Sequence, residues 1–152
     1  MTRENARELA VHLIYAQTFT DAEPEEIVAT RLEREYYKKL AEENEVYTER
    51  PSGKQVAYLD GVVSGVANRR DELNEIIGKF AIGWDVSRIS RLVRSVLQLA
   101  VYEIMWMEDI PTNVSISEAV RIAKKYDGDD TRSFVNGILG AFARSLSAEE
   151  EQ

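Results

Sequence analysis

The chain has 152 residues, no cysteine, 30% charged residues and a formal net charge of −8. That length holds one well-buried domain with room for two subdomains, and leaves none for a separate catalytic domain. Without cysteine there are no disulfides and no thiol chemistry, and the acidic balance argues against a broadly basic, phosphate-seeking surface.

The average hides an uneven distribution. Asp21 to Glu49 carries ten acids and four bases, whereas Val86 to Arg144 carries eight bases and seven acids, so a small basic surface fits the second half. Met1-Thr2-Arg3-Glu4-Asn5 lacks the apolar core of a signal peptide, and Glu103 interrupts the longest apolar run. Neither stretch suits a membrane, and a cytoplasmic protein is expected.

Glu4 to Phe19 reads as the first helix, with Ala6, Leu9, Ala10, Leu13 and Ala16 or Gln17 on its buried face. Arg3 and Arg7 stand one turn apart, as a phosphate grip or as two solvated arginines. His12, the only histidine, falls on the polar side between Glu8 and Tyr15, and no serine or cysteine nucleophile accompanies it. Pro24 suits the first position of a second helix running to about Asn44 through Val28, Leu32, Tyr36 and Leu40. Glu45 to Gly53, with Pro51, is the clearest loop and separates an N-terminal helical pair from the rest.

From Lys54 a helix carries Val56, Leu59, Val63 and Val66, and after a bend near Asn68-Arg69 the pattern resumes at Leu73, Ile76, Ile77 and Phe80. Ile82-Gly83-Trp84-Asp85 forms a turn, with Asp85 or Ser87 as a cap. The central element is Leu92 to Met107, whose two apolar rows predict burial on two sides. Its other stripe, Arg91, Arg94, Ser95, Gln98 and Tyr102, is the part expected to meet water or a ligand. Asp109-Ile110-Pro111 stops it.

Ser115-Ile116-Ser117-Glu118 reads as a capping box for a helix bearing Ile116, Ala119, Val120 and Ala123. After Asp127-Gly128, Asp130 or Thr131 caps a last helix with Phe134, Ile138, Leu139 and Phe142 inward. Nothing alternates with period two for long, so about seven helices and no strands are expected. The acids at 127–130 invite a calcium reading, but Arg132 occupies the sixth position and Ile138 the twelfth, so the loop fails that pattern. No metal site, cofactor motif or catalytic residue is found.

One constellation remains. Lys124, Lys125, Tyr126, Arg132 and Phe134 surround the Asp127-to-Thr131 turn, joining positive charge to aromatic planes as single-strand RNA readers do. The bland reading makes Tyr126 and Phe134 core residues beside a solvated basic edge.

Several pieces together resemble the NusB family of transcription antitermination factors. They are Arg3-Glu4-Asn5-Ala6-Arg7-Glu8-Leu9-Ala10 with Tyr15; Trp84 with Arg88; VLQLAVYEI from Val96 to Ile104; Asp109-Ile110-Pro111; ISEAVRIAKKY from Ile116 to Tyr126; and Phe134-Val135-Asn136-Gly137-Ile138-Leu139. The resemblance implies an all-α fold of two packed helical bundles without enzymatic activity. It divides one domain, 1–152, into an N-terminal subdomain of about 1–80, a C-terminal subdomain of about 81–146 and an acidic tail, 147–152. Implied partners are boxA-type single-stranded RNA of ribosomal-RNA transcripts, the ribosomal protein NusE and, indirectly, the RNA polymerase elongation complex, and no cofactor is implied. Carried over by position, Arg3, Arg7, Lys79, Phe80, Tyr126, Asp130, Arg132 and Phe134 would contact RNA, and Tyr15 and Phe19 would face NusE. Two departures, Glu4-Asn5 in place of basic residues and Gln98 in place of an arginine, remove charge from the expected RNA face. An alternative is a helical interaction module or homodimer of the same fold that does not bind RNA.

Overall fold

The computed structural model describes residues 1–150, and they form eight α-helices and two short 3-10 turns without strands. The chain divides into two compact units, residues 1–68 and residues from 69 onward.

The first unit is built on α1 (Arg3–Gln17), whose first turn is held by the Thr2 hydroxyl accepting from the Asn5 N–H at 3.0 Å. It packs on α4 (Gly53–Asn68), on α2 (Pro24–Arg31) and on the 3-10 turn Glu45–Tyr47. Being enclosed from several sides, α1 buries Val11 and Ile14 as well as its predicted face, and even Glu8 is 1% exposed. His12 is half-buried rather than on a polar side, its Nδ1 2.8 Å from the Tyr47 hydroxyl. The single helix expected from Pro24 to Asn44 is two. The chain leaves helical geometry at Leu32, and the Glu33 carboxylate accepts from the Glu35 and Tyr36 N–H groups at 3.0 Å to start α3 (Arg34–Ala41). Those bonds hold the Glu33 carboxyl below its ordinary titration range. The break shifts the phase, so Tyr37 is buried where Tyr36 was expected. The Tyr37 hydroxyl donates to the Glu49 carbonyl at 2.6 Å, and burial pushes it up to about 12. The 45–53 loop is thereby tied into this unit, with the Met1 ammonium also donating to the Arg50 carbonyl at 3.2 Å.

In the second unit α5 (Arg70–Phe80) leads through a turn and the 3-10 segment Val86–Arg88 to α6 (Arg91–Trp106). Ser90 caps α6, its hydroxyl accepting from the Val93 N–H at 3.2 Å, while Asp85 serves the 3-10 turn. Every residue of α6 from Ser95 to Val101 is buried, because α5, α7 (Thr112–Asp127) and α8 (Asp129–Glu150) all pack around it. The expected open stripe on α6 is therefore covered at Ser95 and Gln98. The Ser95 hydroxyl donates to the Arg91 carbonyl, and the Gln98 amide donates to Asn74 Oδ1 at 2.8 Å. Gln98 accordingly lies off any exposed face, and having glutamine there removes no charge from one. The capping box at Ser115 does not form either. Pro111 starts α7 earlier, and the Ser115 hydroxyl instead donates to the buried Glu103 carboxylate at 2.8 Å. The helix α8 continues to Glu150, through the first residues expected as an acidic tail, and 151 and 152 lie outside the described residues. Among the described residues, no helix is long and apolar enough to cross a membrane.

Candidate nucleic-acid interface

The α7-to-α8 corner sets the site. Gly128, at φ 96°, takes a backbone conformation that side chains disfavour, so α8 begins one residue after α7 ends. Around that corner, Lys124 and Arg132 both approach the Asp129 carboxylate, at 3.9 and 3.8 Å, and the Thr131 hydroxyl donates to Asp127 at 2.6 Å. The Lys125 ammonium stands 5.5 Å from the centre of the Tyr126 ring. Tyr126 and Phe134 are each half-buried, so neither is enclosed in the core.

Phe134 does not stand alone. The turn before α6 places the indole of Trp84 against it, with ring centres 5.4 Å apart. Trp84 remains 52% exposed. These two rings, with Arg88, Ser90, Asp127 and Asp130, line an open cleft of about 350 Å³. Next to it the Asp85 carboxyl is held below the usual carboxylate range by the backbone and hydroxyl donors of Ser87, and so stays ionised.

Of the residues singled out from the sequence, Asp130 and Phe134 meet in this cleft, and Tyr126 and Arg132 flank its corner. Lys79 and Phe80 lie at the end of α5 and do not line it. The Phe80 ring packs on Phe142 of α8 at 5.8 Å, with the Lys79 ammonium 5.6 Å from its centre. Arg3, exposed, and Arg7, half-buried, begin α1 in the first unit. Tyr15 and Phe19 belong to that unit too. They touch edge-on at 5.0 Å and line a separate cleft of about 570 Å³ with His12, Arg31, Leu40 and Tyr47, where Phe19 is 60% exposed. Trp84 and Arg88 were not among the expected contacts. An indole within a Gly-Trp-Asp turn was the available signal, since a turn faces solvent and a large ring there has no helix to bury it.

Fold and cleft together define a class: an all-helical protein of two units, the second of which carries a cleft lined by rings and mixed charge. Residues 4–144 match the NusB family, and the chain belongs to that family, which is not enzymatic. It is 38% identical to the transcription antitermination protein NusB of Carboxydothermus hydrogenoformans over 146 residues, 96% of this chain and 95% of that one. With the protein of the same name from Ruminiclostridium cellulolyticum it shares 35% over 150 residues, 99% and 94% of the two chains. Among solved structures, T. maritima NusB superposes with a TM-score of 0.77 at 27% identity, covering 95% of this chain and 92% of that one. The antitermination factors NusB and NusE in complex with dsRNA contain a chain of the same fold, with a TM-score of 0.72 at 22% identity, covering 94% and 96%.

Proposed function

We propose that this protein is an RNA-binding transcription antitermination factor of the cytoplasm. It pairs with ribosomal protein NusE, holds the boxA element of ribosomal-RNA transcripts as an unpaired strand and acts on elongating polymerase by assembly, with no covalent step. The observation that carries this reading is the cleft at the α7–α8 corner, where half-open rings stand beside cations. Stacking on such rings tolerates any base, and nearby cations hold the backbone. Tyr126, Asp130, Arg132 and Phe134 are the proposed contacts at this corner, Lys79 and Phe80 a further one at the end of α5, and Arg3 and Arg7 phosphate contacts in the first unit. Tyr15 and Phe19, with an exposed ring at a cleft that Arg31 and Glu43 also line, are the proposed NusE-facing pair.

A gel-shift titration of a boxA strand, with and without NusE, tests it. Binding is expected to be weak and salt-sensitive alone and to tighten with NusE, because two modest basic surfaces then act as one site. Equal affinity in both titrations would overturn the mechanism. A second reading, a protein-interaction module or homodimer without RNA binding, draws on the exposed Phe19 and the net charge of −8. It prevails if no strand binds even with NusE present.

A further inference from the structure

We infer that His12, Tyr47 and Arg31 form a proton-sensitive clamp, closed while the imidazole is neutral and released when it takes up a proton, which sets the shape of the cleft lined by Tyr15 and Phe19. The inference rests on the partner-facing reading of that cleft given above and adds its regulation by pH.

Three elements of the first unit meet at one oxygen. Arg31 closes α2, Tyr47 closes the 3-10 turn, and His12 sits midway along α1. Arg31 Nη1 donates to the Tyr47 hydroxyl at 2.6 Å, and His12 Nδ1 lies 2.8 Å from the same atom. The imidazole also stacks on the Tyr47 ring, with centres 5.7 Å apart, and the Arg31 guanidinium stands 5.9 Å from the centre of that ring. All three side chains line the cleft that Tyr15 and Phe19 share.

The inventory of donors and acceptors fixes where the protons are. A guanidinium only donates, so the Tyr47 oxygen accepts from Arg31 and has one proton of its own to place. Tyr47 is 4% exposed, and its hydroxyl makes no other hydrogen bond among the described residues. Burial raises that hydroxyl above the ordinary tyrosine range, so it keeps its proton at neutral pH. His12 Nδ1 is therefore the acceptor, and the imidazole is the neutral tautomer with its proton on Nε2. A protonated ring would donate from Nδ1 as well, which brings two cations to one oxygen and strands the buried tyrosine proton.

The groups around His12 pull both ways. Glu8, one turn back on α1, and Glu43, on the cleft wall, favour the charged ring, whereas Arg31 opposes it. Lys54, Tyr58 and Asp60, the titratable groups of α4, do not line the cleft. Glu43 is exposed and its charge is screened, while Arg31 and the Tyr47 hydroxyl act at Nδ1 itself and tip the balance. The clamp thus contributes stability above about pH 6.5, where a free imidazole is neutral, and loses it as the pH falls below that value. Release frees Arg31 and the 3-10 turn from α1, and the wall facing Tyr15 and Phe19 moves with them.

His12 is the only histidine, so its ring nitrogens give a single set of NMR signals that report tautomer and charge directly. The Nε2–H tautomer is expected at about pH 7.5, and in Tyr47→Phe the ring should take up its proton about tenfold more readily. Affinity for NusE is expected to fall about tenfold between about pH 7.5 and about pH 5.5, and by less than about threefold in His12→Gln, whose amide oxygen accepts from Tyr47 at either pH. The urea midpoint should drop over the same interval, and drop less in His12→Gln. An Nδ1–H tautomer at neutral pH, or a pH dependence of affinity and midpoint that survives His12→Gln, would overturn the clamp and leave the partner-facing reading standing. The expected tautomer and midpoint shift, with no NusE bound at either pH, would uphold the clamp and overturn that reading.

Discussion

The pair Ser115 and Glu103 shows how far a local pattern reaches. Serine followed three residues later by glutamate satisfies the capping-box rule, but Pro111 had already opened the helix, and a hydroxyl inside the first turn was left to serve another purpose. It donates to a carboxylate that is 1% exposed. Because the buried carboxylate would lose one of its hydrogen bonds, Ser115→Ala is expected to destabilise the protein by about 0.5–1.5 kcal/mol. The exposed Ser117, two residues further along the same helix, serves as the control, and its alanine variant should stay within about 0.5 kcal/mol. Urea denaturation of both variants checks this. Equal midpoints would mean that the Ser115 hydroxyl does nothing for Glu103.

Among the elements, two glycines of α8 and its approach should respond oppositely to the same change. Gly128 stands at φ 96°, where an added Cβ is strained even with open space around it, so Gly128→Ala is expected to cost about 1–3 kcal/mol. Gly137 lies exposed within α8 with nothing within 4 Å of a built Cβ, and Gly137→Ala is expected to gain about 0.5–1 kcal/mol from reduced unfolded-state freedom and better helix propensity. Thermal melts that move in the same direction would refute this account of the corner. The helices themselves were legible because their apolar rows recur at a period of 3.6, which needs no knowledge of neighbours. What escaped was the consequence of neighbours. Whether α6 shows Gln98 to water depends on α5 covering it, and whether Tyr36 or Tyr37 points inward depends on a break at Leu32 that Glu33 makes favourable by capping. The site divides in the same way. Rings and cations close together in sequence, Tyr126 to Phe134, could be read directly, whereas Trp84 joins Phe134 only once the fold brings the turn before α6 to the start of α8.

Taken whole, the protein combines a net charge of −8 with the proposed role of holding a polyanion, and that proposal turns on where the charge sits. The acids are densest between residues 21 and 49, within the first unit, while the cleft belongs to the second, where residues 69–152 carry fourteen acids and eleven bases. Even there the cations are few. Lys124 and Arg132 are shared with Asp129, which leaves Arg88 as the cleft cation best placed for a phosphate. Each phosphate neutralised on a single strand contributes about −0.7 to the slope of log affinity against log salt, so two to four contacts predict a slope of about −1.5 to −3 for this protein alone. Stacking, which carries no counterion release, must then supply much of the remaining affinity. Arg88→Gln should flatten the slope by about 0.7, and Trp84→Leu should weaken binding at every salt concentration without changing the slope. Fluorescence anisotropy of a labelled strand across a salt series measures both. A slope steeper than about −5 would require more phosphate contacts than this edge can supply and would move the binding surface elsewhere on the molecule.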